Sequence, residues 1–289
     1  MKEGHVRARG LDFPTLEEGE GPLALCLHGF PDHLRSFRHQ LPALAKAGFR
    51  AVAPAMRGYA PSAMPADGAF QTAALAEDVV ALIEALGYDD AVVIGHDWGA
   101  TAAYGAALAA PRRVRKLVTA AVPYGAQVMQ AFATNYDQQR RSWYMFFFQT
   151  PFADVALAND DFAFLERLWR DWSPGWQWPA DEMTRLKETF RQPGVASAAL
   201  GYYRAMFDPS RQQPAYAALQ SRIMLEPIDV PGLMLHGAND GCIGTELLPG
   251  MELFFPRGLR VEVVPGTGHF LHQEAPDTVN GLILDFLRD

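Results

Sequence analysis

VVIGHDWGATAAYG, Val92 to Gly105, decides how the rest of the chain is read. Val92, Val93 and Ile94 form an apolar run that ends at Gly95, and a helix-like run of small residues follows Trp98. Gly95 and Gly99 bracket Asp97 in the G-x-S-x-G spacing of a nucleophile elbow, a sharp strand-to-helix turn usually centred on serine. A glycine on each side permits the strained turn and lets the helix approach the strand closely. Asp97 therefore stands where an attacking side chain is expected. Taken alone, the motif fits equally well a structural aspartate capping the helix.

Similar apolar runs lie on both sides of this stretch. They are ALCLHG (24–29), FRAVAP (49–54), AVVIG (91–95), KLVTAAVP (116–123), GLMLHG (232–237) and RVEVVPG (260–266). Between several of them the pattern turns helical: residues 73–87 space Leu75, Val79, Leu82, Ile83 and Leu86 along one face. Strands alternating with helices predict an α/β fold with a mostly parallel sheet covered on both faces. Active sites in such sheets gather at the carboxyl ends of the strands. The alternation stops between Tyr124 and Ser221, which hold five of the six tryptophans and no strand-like run. Phe162, Leu165, Leu168, Trp169 and Trp172 share one helical face there. The pattern predicts a core domain of 1–123 and 222–289 with a helical cap, 124–221, inserted over the sheet. The cap aromatics build its own core or line an apolar pocket against the sheet.

Composition narrows the function classes. The 289 residues carry a formal net charge of −8 and no basic run, which argues against nucleic acid as a partner. No apolar stretch approaches the roughly 20 residues that span a bilayer. The N-terminus lacks the apolar core of a secretory signal, so a cytoplasmic location is the expectation. Cys26 and Cys242 are expected to be unpaired. No metal-ligand cluster and no glycine-rich phosphate loop with its lysine stands out, so no metal and no cofactor is expected.

Three further segments complete the chemistry. CLHGFPD (26–32) follows an early strand, and Phe30–Pro31 is a candidate cis peptide. LHGANDGCI (235–243) and PGTGHFLHQEAP (265–276) each follow a late strand. They place Asp240 and His269 after Asp97 in the chain order nucleophile, acid, histidine. His272 competes with His269, but Gly266 and Gly268 build a tight turn at the latter, while His272 is expected to enter the last helix. His28, His33 and His96 are read as loop supports.

HGFP (28–31), RGYAPS (57–62), GHDWGA (95–100), the Asp240 loop and Gly268–His269 together resemble the α/β-hydrolase superfamily, and within it the epoxide hydrolase branch. The resemblance spans the core on both sides of the insertion, which corresponds to the family's helical cap. It implies an α/β-hydrolase fold and an oxyanion hole formed by the backbone N–H groups of Phe30 and Trp98. It also implies that two cap tyrosines protonate the epoxide oxygen. Tyr144, five residues before Gln149, matches the first; Tyr203, just before Arg204, matches the second, with Tyr202 the alternative if the helix register shifts. Pro31, Trp143 and Phe147 are expected to line the substrate pocket.

The chemistry follows from the residue types. A carboxylate is already ionised at neutral pH and attacks a saturated carbon without help from a base. The product of that step is an alkyl ester on Asp97. His269, oriented by Asp240, then activates the water that hydrolyses the ester. An apolar epoxide and water are the expected partners, and a vicinal diol the product. Two rival readings share parts of this machinery. Haloalkane dehalogenases resemble the chain in their Asp nucleophile but usually carry Asn where Phe30 stands, or a cap Trp. Fluoroacetate dehalogenases carry arginines where Trp98 and Thr101 stand here. A non-catalytic binding protein of the same fold is the third alternative.

Overall fold

Buried apolar runs organise the molecule. The computed structural model describes residues 1–288. One sheet contains β1 (Lys2–Ala8), β2 (Leu11–Glu18), β3 (Leu23–Leu27), β4 (Arg50–Pro54), β5 (Ala91–His96), β6 (Val114–Ala120), β7 (Gly232–Gly237) and β8 (Leu259–Val264). Their order is β1-β2-β4-β3-β5-β6-β7-β8. The pairs from β4 through β8 are parallel, and every residue of β3, β5 and β7 is buried. Such uninterrupted burial marks strands covered on both faces, which is why they read as continuous apolar runs.

The sequence-based series starts at Ala24, yet two antiparallel strands precede it. β1 is a mostly exposed edge strand with the sequence KEGHVRA, and β2 carries Pro14. Charged residues suit the β1 edge, and Pro14 interrupts β2, which pairs on both sides; both features hide the strand signal.

Two helices fix the elbow's surroundings. Thr72–Ala85 buries Leu75, Val79, Leu82 and Ile83 as its spacing predicts. Trp98–Ala109 is buried along nearly its whole length. Its small residues let it sit this close: a Cβ on Gly105 would meet the Ala76 side chain at 2.6 Å.

Between β6 and β7 the chain is helical without a strand. The segment Phe152–Trp172 leaves helical geometry at Asn159 and passes through positive φ at Asp160, Asp161 and Phe162. From the end of that kink onward, Phe162, Leu165, Leu168, Trp169 and Trp172 are all buried. Burying each such side chain contributes roughly 1.5–3 kcal/mol. Polar contacts join these helices to the loops at the strand ends. Trp169 Nε1 donates to the Pro31 carbonyl at 2.8 Å, and Tyr202 Oη donates to the Arg57 carbonyl at 2.6 Å. Arg35 pairs with Glu182 at 2.6 Å. No helix among the described residues is long and apolar enough to cross a membrane.

Candidate active site

The elbow is strained as its glycines foretell. Asp97 has φ 54° and ψ −120°, a conformation that costs a non-glycine residue on the order of 1–3 kcal/mol. A Cβ on Gly95 would strike the Gly99 carbonyl, and one on Gly99 would strike the carbonyl of Leu27. Asp97 occupies the helix N-cap position, but its side chain caps nothing. Instead its Oδ1 accepts a 2.6 Å hydrogen bond from the Phe30 N–H. The carboxylate is thus directed at the HGFPD loop. Trp98 is the first residue of its helix, so its N–H has no acceptor within the helix. Gly29 lets the loop and elbow approach: a Cβ there would lie 2.6 Å from the Trp98 nitrogen. The Phe30–Pro31 peptide is cis.

Asp240 and His269 meet beside this carboxylate. His269 Nδ1 lies 2.9 Å from Asp240 Oδ2, while Asp240 Oδ1 accepts from the Cys242 and Ile243 amides at 2.7 and 3.0 Å. His269 Nε2 faces Asp97 Oδ2 at 3.6 Å and has no hydrogen-bond partner. Burial works against a charge on His269, but Asp240 outweighs it and holds the imidazole well above its ordinary pKa. Burial would raise the Asp240 carboxyl, yet the His269 charge holds it below the usual range. Each group thus favours the charged form of the other, and Nε2 is directed at Asp97.

The other histidines do different work. His28 Nε2 accepts from the Met56 N–H at 3.0 Å, which leaves Nδ1–H for the Gly29 carbonyl at 3.1 Å; burial pushes its pKa down to about 3. His96 Nε2 bonds the His269 carbonyl at 2.9 Å, and burial pushes that ring down to about 4. His33 lies 3.7 Å from Glu182. His272, in the helix Leu271–Glu274, meets Ser36 Oγ at 2.7 Å. It belongs to the network around Asp32 and is not paired with either Asp97 or Asp240.

Two fully buried tyrosines arrive from the helical segment. Tyr144 Oη lies 3.2 Å from Cys242 Sγ, and Tyr203 Oη has no partner. Burial pushes both phenols well above their ordinary pKa, so each keeps its proton. The helix Val195–Phe207 settles the register: Tyr202 is spent on the Arg57 carbonyl, and Tyr203 lines the cavity with Asp97. That cavity, about 50 Å³, is otherwise walled by Trp98, Thr101, Cys242 and apolar side chains including Met145, Met206 and Met224.

The three expected pocket residues stand elsewhere. In the helix Trp143–Phe147, Tyr144 and Met145 turn inward, which sends Trp143 outward. Trp143 is 45% exposed and packs on Phe147 and Phe164. Phe147 sits on that outer face, four residues on, and is half-buried. Pro31 is buried, and its carbonyl is taken by Trp169. The sequence reading missed Cys242 as a wall of the cavity, although it lies two residues after Asp240. Both cysteines are free.

The fold also groups side chains of metal-ligating type: Asp32, His96 and His272 in one buried trio, Asp240, Cys242 and His269 in another. In the second, Asp240 and His269 are each other's partners. In the first, Asp32 accepts from the His33 amide, Ser36 and Gln273.

Comparison with known proteins gives a consistent result. A family model described as alpha/beta hydrolase fold matches residues 22–276. Mouse epoxide hydrolase 4 is 30% identical, across 98% of this chain and 78% of the relative. An epoxide hydrolase from Caballeronia sordidicola is 31% identical, across 100% of this chain and 94% of the relative. The solved structure of a Bacillus megaterium epoxide hydrolase variant with its naphthyloxy-propanediol product superposes with a TM-score of 0.85. It is 28% identical and is matched over 99% of this chain and 100% of its own.

Proposed function

Because the chain belongs to the α/β-hydrolase family, in its epoxide hydrolase branch, we propose that it converts an apolar epoxide to a vicinal diol through a covalent ester on Asp97. The observation that carries this reading is the juxtaposition in one cavity wall of the Asp97 carboxylate and the unpartnered Tyr203 hydroxyl. Asp97 attacks a ring carbon. As the C–O bond breaks, the ring oxygen takes a proton from Tyr203 or Tyr144, whose raised pKa keeps that proton in place until it is needed. The phenolate so formed is reprotonated before the next cycle.

Ester formation removes the charge on Asp97 that faces His269. The imidazolium, held by Asp240, gives its proton through solvent to the phenolate and then serves as base toward water. That water attacks the carboxyl carbon, the C–O bond of the ester breaks as the diol oxygen leaves with the proton taken from water, and the carboxyl proton left on Asp97 restores the imidazolium. The Phe30 and Trp98 amides stabilise the tetrahedral oxyanion, a role supported by the 2.6 Å Phe30 contact to Asp97 Oδ1. Residues 124–221 act as the cap that supplies the tyrosines and excludes water. The cavity is far below the roughly 300–1,000 Å³ of ligand pockets, so an aryl substrate enters as cap helices part. No resident metal or cofactor takes part in this route, and the apolar cavity wall selects the substrate.

A side-by-side screen of aryl and alkyl epoxides against alkyl halides tests the reading. Diol formation without halide release is expected, because paired phenols suit an oxygen leaving group. Halide release without diol formation would instead assign the leaving-group site to Trp98 Nε1, which is buried without a partner.

A further inference from the structure

The two phenols keep different company. Tyr203 Oη has no partner, whereas Tyr144 Oη has one, the sulfur of Cys242. That residue is fixed from both sides. Its N–H donates to Asp240 Oδ1 at 2.7 Å, and its carbonyl accepts from Gln138 Nε2 at 2.9 Å. Gln138 is fully buried, and its Oε1 accepts from the Gly244 N–H at 3.0 Å. Its Nε2 also reaches Ser142 Oγ at 2.7 Å, at the N-cap of the short helix that carries Tyr144. One amide thus ties the loop after β7 to the start of the tyrosine's helix. The same loop hangs from the carboxylate that orients His269.

We propose that Cys242 is a positioning residue for ring opening: its sulfur, which lines the cavity, holds the Tyr144 phenol just behind that wall, beside Tyr203 and in register with the Asp97–His269–Asp240 side. This rests on the reading above, in which Tyr144 donates to the epoxide oxygen. Thiol sulfur is a weak hydrogen-bond partner. It orients a buried phenol yet yields it readily to an epoxide oxygen, a better acceptor. Once Tyr144 has passed its proton to that oxygen, the S–H can turn and donate to the phenolate. The thiol keeps its own proton throughout, and no bond to sulfur forms.

A rapid-quench, single-turnover experiment separates this role from a purely structural one. Enzyme in excess over styrene oxide is quenched at intervals, and intact mass follows formation and decay of the ester. Cys242→Ala is expected to slow ester formation about five- to tenfold, the loss of one hydrogen bond. Ester decay should stay within about twofold of the parent rate. Cys242→Ser, which restores a hydrogen-bonding group, should recover ester formation to within about twofold. In a Tyr144→Phe background, Cys242→Ala should slow the step no further, since the thiol acts through that phenol. Ester formation at the parent rate in Cys242→Ala, while Tyr144→Phe is slow, would overturn the positioning role and leave the reading of Tyr144 intact. A full Cys242→Ala effect persisting without the Tyr144 hydroxyl would overturn it as well, by assigning the effect to cavity shape. Parent-rate ester formation in Tyr144→Phe would overturn the acid role of Tyr144 itself, and the inference with it.

Discussion

The strand-end side of the site and the helical side are built on opposite electrostatic plans. At the strand ends, Asp97 Oδ1 and both oxygens of Asp240 have a named donor. Charge there is fixed before substrate arrives. On the helical side, one phenol has no hydrogen-bond partner and the other has only sulfur. A nucleophile and its base benefit from fixed geometry, whereas a proton donor must keep its proton uncommitted. The contrast predicts a division of labour: strand-end residues govern ester formation and breakdown, and helical residues govern ring opening alone.

The largest effect is expected at the nucleophile. Asp97→Ala should lower diol formation on the order of 10⁴-fold or more and abolish the mass increment of the ester. His269→Gln should lower steady-state turnover by about 10³-fold, while the ester accumulates toward one per chain. Tyr203→Phe should slow ester formation by about 10²-fold and leave ester decay nearly unchanged, as read by single-turnover mass measurements. Equal slowing of both steps would erase the distinction between the two sides.

A smaller effect concerns stability and pH. His28 and His96 lie on the strand-end side and have folded pKa values pushed by burial to about 3 and about 4. An unfolded histidine titrates near pH 6.5, so below that pH the unfolded chain binds more protons than the folded one. These groups have no effect well above pH 6.5 and destabilise progressively as pH falls toward about 4. His272, also pushed well below its ordinary value, acts in the same direction. His269 has the opposite sign. Its raised pKa adds stability that is fully present below about pH 6.5 and lost as pH rises through the folded value. Burial pushes His39 and His236 down as well, and five lowered histidines against one raised lead to the expectation that the urea midpoint falls between pH 7 and pH 5. A midpoint that rises on acidification would contradict the neutral state of the buried rings.

The strand-end side was the more legible in the sequence. Gly95 and Gly99 announce a turn that other residues cannot make, and Asp240 and His269 follow continuous apolar runs, so chain order alone nearly places them. The helical side was legible only in outline. Its aromatic spacing identified an inward face at Phe162–Trp172, but a run as aromatic as WYMFFF offers no contrast between inside and outside. Trp143 and Phe147 were therefore assigned to the pocket, when the helix turns Tyr144 inward instead. Cys242, read only as an unpaired cysteine, escaped notice as a cavity wall because its place depends on a loop fixed by Asp240 and Gln138, contacts that no periodicity encodes. β1 was missed because an edge strand is selected for charge, and β2 because Pro14 and its acidic residues interrupt the apolar pattern.

A single turnover in ¹⁸O-labelled water tests the covalent route most directly. Water attacks the carboxyl carbon of the ester, so the diol keeps one oxygen from the epoxide and one from Asp97. The expected result is an unlabelled first-turnover diol with ¹⁸O in the peptide that contains Asp97. Solvent ¹⁸O in the first-turnover diol, with an unlabelled Asp97 peptide, would mean that water attacks the epoxide directly and that Asp97 is not the nucleophile.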